Sequence, residues 1–297
     1  MIMDNNQKAN LIKKIILTSN RNNTNRLKGW IYNFHKIVYY KSLEFLKKTS
    51  EFKVKTFWNR DINIILPESV SVSIWRNGFV ESDVTIYLLN YLNKGDTFID
   101  IGAHFGFYTL LAADIVGPKG QVLAFEPTIS TFNQLSKNVS NSKNDNIRIY
   151  NLAASNSNTE MEFNDFGIIN SAFNSFFENR GDKYFEGKKI IVNAVIVDDF
   201  IKENFSKSKI SAIKIDAESA EFQVLSGLIN VINKDHPIII LEVGDYSISG
   251  TKKSKELIEL VESFDYQSFE LDKKSFNIMP YIKKNIERYS NILFIPN

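Results

Sequence analysis

Short apolar runs alternate along the chain with stretches of helical periodicity. Apolar runs at Thr97–Ile101, Gln121–Phe125, Ala212–Asp216 and Pro237–Val243 are each followed, directly or after a short turn, by a stretch whose apolar residues recur at helical spacing. Runs of this length between turn residues are typical of buried strands. The alternation predicts a mostly parallel sheet with helices on both faces, which is an α/β, Rossmann-like class.

The same pattern predicts the other elements. Helices are predicted at Ser82–Leu92, Phe107–Ile115, Ile129–Asn141, Val197–Glu203, Ser219–Val231 and Lys253–Phe264, and further strands at Lys53–Trp58, Val70–Trp75, Ile147–Asn151, Ile190–Val195, Tyr266–Leu271 and Ile292–Ile295. The segment Met161–Lys188 is polar with scattered phenylalanines and predicts an irregular excursion. Long loops inside α/β domains are often functional.

The turn after the strand Thr97–Ile101 carries the clearest chemical signal. Asp100, Gly102 and Gly106 form an Asp-x-Gly-x-x-x-Gly pattern that leads into a helix. Glycines let the backbone bend sharply and approach a ligand, and the helix start offers unpaired N–H groups. The pattern differs from the Gly-x-Gly-x-x-Gly fingerprint of dinucleotide enzymes.

A second acidic residue supports nucleoside binding at this turn. Glu126 closes the strand Gln121–Phe125, where a carboxylate can accept hydrogen bonds from two ribose hydroxyls. Asp100 suits a ligand that carries a cation or an amine, and S-adenosylmethionine carries both. A plain strand-turn-helix explains the glycines alone, but not both acids, so we favour a nucleoside ligand.

A further charged cluster lies at Lys214–Glu218. Lys214 and Asp216 point to the same side of a strand, and a buried lysine needs a partner, which Asp216 or Glu242 can supply. One interpretation places Asp216 in the reaction cleft, and the other makes Lys214 part of a structural ion pair. Glu218 fits the first turn of a helix, where an acid complements the helix dipole.

Two residues are candidates for a general base, Asp216 first and His104 second. His104 lies inside the glycine turn and titrates near neutral pH, although it could equally line the cleft. Three histidines and no cysteines make a histidine or thiolate metal centre improbable. Asp216, Glu218, Glu242 and Asp245 offer oxygen ligands for Mg²⁺, but we predict no metal.

Residues 1–60 form a basic, aromatic-rich extension, which we separate from a main domain at residues 61–297. The extension holds 13 Lys or Arg against three Asp or Glu, a net charge of +10. Because the whole chain carries +2, the remainder carries −8. Trp30, Tyr32, Tyr39 and Tyr40 add aromatic surface to this extension.

A helix is predicted over Leu27–Lys48. Its apolar residues lie roughly on one side: Leu27, Ile31, Phe34, Val38, Leu43 and Leu46. The helix either packs on the main domain or attaches to an acidic membrane surface, and we favour packing. No nucleic-acid motif accompanies the charge. No signal peptide or membrane-length apolar stretch is visible, so we expect a cytoplasmic protein.

Seven ordered blocks resemble one known family. They are FIDIGAHFGFYT at 98–109, LAFEP at 123–127, LAAS at 152–155, VDDF at 197–200, IKIDAESAEFQVLSGL at 213–228, IILEV at 239–243 and NILFIP at 291–296. Together they look like the FkbM family of S-adenosylmethionine-dependent methyltransferases, from about Asn77 to the C-terminus. The resemblance implies a seven-stranded class I methyltransferase sheet whose last strand is antiparallel. It also implies methyl transfer to a hydroxyl of a sugar or natural product.

The resemblance also implies roles for individual residues. The expected cofactor contacts are Glu81, Asp100, Gly102, Ala103, Gly106, Glu126, Pro127 and Ala153. Apart from the resemblance, we expect acceptor contacts at Asn170 and Ser171, because they lie in the polar segment Met161–Lys188, and at Glu218 and Glu242. Asp216 would lie in the cleft, with Lys214 and His104 beside it as catalytic candidates. Ser219 stands where the family usually has glycine, so a less tight turn is expected there.

Two other functions are consistent with parts of the sequence. A nicotinamide-dependent oxidoreductase could use a similar sheet, but the dinucleotide fingerprint is missing. A non-catalytic scaffold could bind an anionic partner through the basic N-terminal helix, but the cofactor motif would then have no use. We therefore expect an enzyme whose acceptor is a small molecule or a glycan.

Overall fold

The computed structural model describes residues 3–24, 26–175, 187–244, 251–272, 274–282 and 289–297. The strands are β1 Ser50–Lys55, β2 Asp61–Leu66, β3 Thr97–Ile101, β4 Gln121–Phe125, β5 Ile147–Tyr150, β6 Ala153–Ser155, β7 Thr159–Asp165, β8 Lys188–Ile196, β9 Ala212–Ile215, β10 Ile238–Val243, β11 Tyr266–Leu271, β12 Ile278–Pro280 and β13 Ser290–Pro296. The helices are α1 Asn5–Thr24, α2 Arg26–Leu46, α3 Ser69–Asn77, α4 Ser82–Tyr91, α5 Phe107–Val116, α6 Ile129–Ser142, α7 Val197–Asn204, α8 Glu221–Ser226, α9 Ile229–Asp235 and α10 Ser254–Glu262, with a 3₁₀ helix at Ile168–Phe173.

The main sheet has the order β12-β11-β13-β10-β9-β3-β4-β5. Strands β10, β9, β3, β4 and β5 are parallel, and β13 inserts antiparallel between β10 and β11. The predicted α/β class and the antiparallel last strand are confirmed. The predicted count of seven is one short, because the three-residue strand β12 extends the edge beyond β11.

Helices cover both faces of the sheet, as side-chain alternation along the strands requires. Phe98 and Ile240 point to the face that packs against α4 and α5, whereas Ile99 and Leu241 point to the face covered by α7 to α10. Ala124 packs against Leu135 of α6. Each central strand is buried on both sides, which explains the continuous apolar runs in the sequence.

Two predicted elements are wrong. Val70–Trp75 was predicted as a strand from its alternating Val and Ser, but it lies in α3, where the Glu68 carboxylate caps the helix by accepting hydrogen bonds from Val70 N and Ser71 N. Ser219–Val231 is two helices, α8 and α9. The helix is interrupted at Gly227. Strand β6 lies so close to this residue that a Cβ on it would be 2.1 Å from Ser155 O.

Part of Met161–Lys188 is regular rather than irregular. Residues up to Asp165 belong to β7, which pairs antiparallel with β8 in a separate three-stranded sheet of order β6-β8-β7. The 3₁₀ helix follows, and residues 176–186 lie outside the described part. Phe163 of β7 packs with Ala153, Val192 and Ala194 in a small core of this second sheet. The scattered phenylalanines therefore did not indicate a strand of the main sheet.

The N-terminal extension contains two helices, α1 and α2, which we call the N-terminal hairpin; the predicted helix Leu27–Lys48 corresponds to α2, and α1 was not predicted. Ile15 of α1 is fully buried in the main core beside α4, the Lys8 ammonium group donates to Leu92 O, and Lys14 Nζ donates to Phe57 O at 2.8 Å. Packing on the main domain is thus observed for α1. The boundary at residue 60 falls inside the β1–β2 hairpin, in which Lys55 pairs with Asp61.

The apolar side predicted for α2 does not form its buried face. Leu43 is buried, but Phe34, Val38 and Leu46 are exposed. The side chains of Leu27, Trp30, Ile31 and Tyr32 lie outside the described part. Asn33 is fully buried instead, so a partly polar side of α2 faces the protein.

Gly102 is required by a close approach between two strand ends. Its φ is +75°, and a Cβ would lie 1.9 Å from Asp216 O. Gly95 has φ +90° with nothing within 4 Å of a Cβ, so it is a matched control. We expect Gly95→Ala to cost about 1–2 kcal/mol for the left-handed backbone alone.

Gly102→Ala should cost about 1–3 kcal/mol more than the control, because the new methyl group also displaces the β9 end. Urea unfolding of both variants measures the difference. Equal decreases in the free energy of unfolding in the two variants would show that the ends of β3 and β9 can separate without cost.

Candidate active site

A cleft of about 360 Å³ opens at the carboxyl ends of β3, β4, β9 and β10. Parallel strands bring the residues that follow them to one edge, and this is where open α/β sheets bind ligands. The cleft is lined by ten of the predicted site residues: Glu81, Gly102, His104, Glu126, Pro127, Ala153, Ser171, Asp216, Glu218 and Glu242.

The other five predicted residues lie behind the lining or beside it. Asp100, Ala103 and Lys214 are buried under the cleft floor, and Gly106 starts α5 against Leu135. Asn170 lies in the 3₁₀ helix, where its Nδ2 donates to Phe166 O at 3.4 Å.

The glycine turn uses its backbone groups to join β3 to β4. Gly102 N and Ala103 N both donate to Phe125 O at 3.0 Å, and Gly106 N donates to Ala103 O. These N–H groups therefore hold the fold. Gly102 itself lines the cleft, and the place of its missing side chain is taken by the carbonyl of Asp216.

Asp100 lies beneath the turn with no exposed surface. Its Oδ2 accepts from Thr109 Oγ1 at 2.6 Å, and its Oδ1 has no hydrogen-bond partner among the described residues. Burial raises the pKa of Asp100, and the Lys214 ammonium group opposes that rise. A buried carboxylate oxygen without a donor is costly. Asp100 has no exposed surface and does not line the cleft, so it acts on the cleft from below.

Glu126 ends β4 with both oxygens turned toward backbone donors. Oε2 accepts from His104 N at 3.0 Å and Oε1 accepts from Thr128 N at 3.1 Å. Burial raises the pKa of Glu126 to about 7, although both hydrogen bonds act against the rise. Each carboxylate oxygen can accept more than one hydrogen bond, so capacity for a hydroxyl remains.

Three carboxylates meet at the ends of β9 and β10. Oxygens of Asp216, Glu218 and Glu242 lie within 4.8 Å of one another. Burial raises the pKa of Glu218 and of Glu242, and neighbouring carboxylates add to both shifts. Carboxylate oxygens are ligands that Mg²⁺ accepts, whereas the sequence predicts no metal. Asp245, the fourth candidate ligand, lies outside the described residues.

Lys214 supplies a cation directly below this cluster. Its side chain is 3% exposed, and its Nζ donates to Asp216 Oδ2 at 3.0 Å and lies 5.2 Å from the Tyr108 ring centre. Burial would lower the pKa of Lys214, but the carboxylates of Asp216, Asp100 and Glu81 outweigh it and raise that pKa overall. Lys214 therefore stays charged, and of its two predicted partners the one it bonds is Asp216.

Glu81 links the cleft to the last strand. Its Oε1 accepts from Asn291 Nδ2 at 3.0 Å and its Oε2 accepts from Tyr108 OH at 2.8 Å. Burial raises the pKa of Glu81, and the Asp216 charge raises it further. Its φ of +28° is rare for a side-chain-bearing residue, and such strain clusters at functional sites. Sequence reasoning missed Tyr108 and Asn291, which lie far from Glu81 along the chain.

His104 is held by a hydroxyl with a fixed direction. Ser171 Oγ donates its own proton to Ile168 O at 3.0 Å. In its 2.8 Å hydrogen bond with His104, Ser171 Oγ is therefore the acceptor and His104 Nε2 the donor. Neutral His104 then carries its proton on Nε2, and Nδ1 has no partner among the described residues. Burial lowers the pKa of His104, although the nearby Glu68 carboxylate opposes this, so the ring is neutral near pH 7.

The turn after β9 is as tight as a glycine turn. Ser219 has φ +83° and Glu218 has φ +51°, and Glu221 Oε1 accepts from Ser219 N at 3.1 Å. The expectation that Ser219 loosens this turn is wrong, because the serine adopts the left-handed conformation that glycine takes more easily.

Several cleft residues carry no chemical signal in the sequence. They are Ser69, Val70 and Ser73 from α3, together with Phe163, Phe173, Asn174 and Tyr289. The α3 group was missed because that segment was predicted as a strand. The alternation of Val and Ser is compatible with both structures, and only the cap at Glu68 distinguishes them.

The raised pKa of Glu126 predicts a stability effect in the ligand-free protein. Between its ordinary value of 4.5 and about 7, the folded state keeps a proton that the unfolded chain has released. Wild-type stability therefore falls through Glu126 as pH rises across this window. Across this pH window the free energy of unfolding of the wild type falls by at most about 3 kcal/mol through Glu126.

Glu126→Gln keeps one oxygen acceptor and cannot release a proton. We expect its free energy of unfolding to rise relative to wild type by up to about 3 kcal/mol between pH ~5 and pH ~8. Urea unfolding at several pH values measures this. Both proteins retain His104, whose lowered pKa acts in the opposite direction, so the difference isolates Glu126. A difference that does not change with pH would contradict the shift.

Comparison with known proteins identifies the family. The model of the methyltransferase FkbM domain matches residues 100–268, which is more than half of the chain and narrower than the resemblance from Asn77. No curated protein sequence matches. No helix within the described ranges is long and apolar enough to cross a membrane.

Several crystal structures overlap with the fold at low identity. An FkbM methyltransferase from Methylobacillus flagellatus KT is 14% identical with a TM-score of 0.42, and the overlap covers 77% of this chain but only 56% of that protein. An S-adenosylmethionine-dependent O-methyltransferase from Thermotoga maritima is 11% identical with a TM-score of 0.39, covering 85% and 80%. Fibrillarin from Aeropyrum pernix, solved with S-adenosyl-L-methionine, is 11% identical with a TM-score of 0.39, covering 69% and 67%. The matched domain, rather than these overlaps, shows that the chain belongs to the FkbM family of S-adenosylmethionine-dependent methyltransferases.

Proposed function

We propose that this methyltransferase transfers the methyl group to a hydroxyl oxygen of a sugar, a glycan or a natural product. The observation that carries the proposal is the group of three carboxylates, Asp216, Glu218 and Glu242, in the same cleft as Gly102 and Glu126. Carboxylates accept hydrogen bonds from hydroxyl groups and can take their protons. S-adenosylmethionine supplies a methyl group already activated by a positively charged sulfur.

The glycine-turn side of the cleft fits the cofactor. Gly102, His104 and Glu126 line this side of the cleft, and the buried Asp100 lies beneath it. We assign Glu126 to the ribose hydroxyls, and Ala153, with Pro127, to the adenine side. Glu81 faces the same space, held in place by Tyr108 and Asn291. Ala103 and Gly106 then act by shaping the turn.

The charge of the cleft favours a cationic cofactor. Glu81, Asp216, Glu218 and Glu242 line it, and the buried Lys214 below them supplies one compensating charge. Carboxylates packed this closely repel one another, which is one reason why the pKa values of Glu81, Glu218 and Glu242 rise. A ligand with a positive sulfur and an amino group relieves that repulsion, so binding and electrostatics favour the same molecule.

Asp216 is our candidate for the group that takes the hydroxyl proton. Its side chain is 25% exposed in the cleft, and Lys214 holds Oδ2 at 3.0 Å, which fixes the carboxylate direction. Lys214 is thus a positioning residue. His104 is the second candidate, with Nδ1 as the accepting atom. Alignment of the hydroxyl can lower the barrier by up to about 7–11 kcal/mol, so positioning is expected to matter more than base strength.

We place the acceptor beside the part of the cleft that Ser171, Phe173 and Tyr289 line, together with Glu218 and Glu242. Aromatic rings provide flat apolar faces for sugar rings, and the hydroxyl and carboxylate groups supply hydrogen bonds. Asn170 lies one position before Ser171 and remains a predicted contact.

Cofactor binding is the first test. Calorimetric titration with S-adenosylmethionine and S-adenosylhomocysteine should show binding by the wild type and a loss of at least about tenfold in Glu126→Ala, because about 1.4 kcal/mol of hydrogen bonding to the ribose disappears. Glu203→Ala removes an exposed acid on α7 and is the matched control.

No binding by a folded wild type would overturn the enzymatic proposal. The scaffold hypothesis would then account better for the chain. Equal affinity in Glu126→Ala would leave the cofactor in place but contradict its ribose contact.

Turnover tests the acceptor class and the base. With labelled S-adenosylmethionine and a panel of methyl glycosides and nucleotide sugars, we expect label in an ether that survives mild alkali. Asp216→Asn should lower turnover by about 10²–10⁴-fold, the usual effect of a positioned proton acceptor. Asp199→Asn, which changes an exposed acid on α7, should behave as wild type.

The product and a chelator separate the alternatives. Alkali-labile label would indicate a methyl ester and contradict transfer to a hydroxyl. We expect EDTA to leave turnover unchanged, because Lys214 already provides a cation at the carboxylate cluster. Activity lost with EDTA and restored by Mg²⁺ would instead assign a metal to Asp216, Glu218 and Glu242.

A further inference from the structure

More than half of the exposed large apolar residues of the described structure lie in the N-terminal hairpin, α1 and α2. Eleven large apolar residues of the described part are exposed, and six of them lie in α1 and α2: Leu17, Phe34, Val38, Tyr39, Phe45 and Leu46. The other five are scattered over separate elements. Single exposed apolar residues are ordinary, but a concentration of them marks an interaction surface.

Three of these residues form one outward stripe on α2. At 3.6 residues per turn, Phe34, Val38 and Phe45 lie within about 40° of one another around the helix axis. Leu43, on the opposite side, is buried against the protein, and Phe45 is 87% exposed. Folding alone gives no reason to place phenylalanine in water while Asn33 is fully buried.

The inner side of α2 is fastened, so the stripe has a fixed direction. The Lys36 ammonium group donates to Trp75 O, and the Tyr39 ring packs edge-on against Trp75 and Phe52 at 5.9 and 5.8 Å. Both contacts tie α2 to α3 and the β1–β2 hairpin. An attached helix cannot rotate to bury Val38 and Phe45 without breaking these contacts.

The charge around the stripe indicates the partner. Residues 1–60 carry +10 and the rest of the chain −8. Lys41 and Lys48 flank the stripe and are exposed, and Lys41 forms a surface ion pair with Glu44 at 2.6 Å. A second copy of this face would bring the same exposed lysines against one another, and a nucleic acid offers no apolar layer in which Phe45 can be buried. An anionic lipid surface provides both the negative charge and the apolar layer.

We propose that the outer face of α2, defined by Phe34, Val38 and Phe45, docks on an anionic membrane surface. The helix lies in the plane of the interface with these side chains inserted and the lysines at the headgroups. Helix α3 lies between α2 and the cleft and contributes Ser69, Val70 and Ser73 to its lining. Docking therefore holds the cleft close to the lipid surface. This proposal does not depend on the acceptor.

Vesicle flotation of the full chain tests the docking. Vesicles of phosphatidylcholine with phosphatidylglycerol should carry the wild type, and vesicles of phosphatidylcholine alone should carry at least about tenfold less, because the headgroup charge is missing. Salt near 1 M, where the Debye length is about 3 Å, should release most of the protein.

Paired variants locate the surface. Val38→Ser with Phe45→Ser should lower flotation at least tenfold, whereas Ile191→Ser with Met279→Ser removes two exposed apolar residues elsewhere and should float as wild type. Circular dichroism and S-adenosylmethionine titration confirm that both double variants are folded. Lys41→Glu with Lys48→Glu should lower flotation as well.

Other results would overturn the proposal. Equal flotation with both vesicle types, or by both double variants, would show that the stripe does not select anionic lipid. A dimer in sedimentation that Val38→Ser with Phe45→Ser dissociates, without flotation of the wild type, would assign the face to a second copy.

Discussion

A single buried ammonium group holds the acidic end of this sheet together. Lys214 lies in the central strand β9, opposite Asp100 on β3, and it donates to Asp216 at the strand end. Without this cation, the carboxylates of Asp100, Asp216 and Glu81 would lie near one another without the positive charge of Lys214 to balance them. Removing one partner from such an ion pair typically costs about 3–5 kcal/mol, because the remaining charge stays buried.

The geometry around Lys214 explains why the cleft combines rigidity with strain. Gly102 touches the carbonyl of Asp216, so the ends of β3 and β9 fix one another. Glu81, His104, Glu218 and Ser219 all adopt positive φ around the same space. Such conformations persist only where the surroundings enforce them. Holding these acids close together therefore lowers the stability of the folded protein, and a cationic cofactor would reduce the repulsion between them.

In our proposals the acidic main domain and the basic N-terminal hairpin have separate functions. The acidic cleft suits a cationic cofactor, and the basic hairpin suits an anionic surface. Fixing the hairpin to α3 couples the two physically, because α3 contacts α2 on one side and lines the cleft on the other. An acceptor attached to a lipid would meet both features at once.

The sequence alone determined the sheet and the cleft, because both depend on local patterns. Strands β3 and β4 were predicted to the residue, and Asp100, Glu126 and Asp216 were placed at strand ends, since apolar runs and turn glycines are local signals. The break at Gly227 was not predictable, because it depends on Ser155 O, which is distant in sequence. Helix α3 was missed although its cap, Glu68, directly precedes it, because alternating Val and Ser also fit a strand. The short edge strand β12 is defined only by its pairing with β11. Tyr108 and Asn291, which hold Glu81, and the outward direction of Phe45 were likewise decided only by tertiary packing. A helical period defines a stripe, but only contacts such as that of Tyr39 with Trp75 decide which side of the helix faces water.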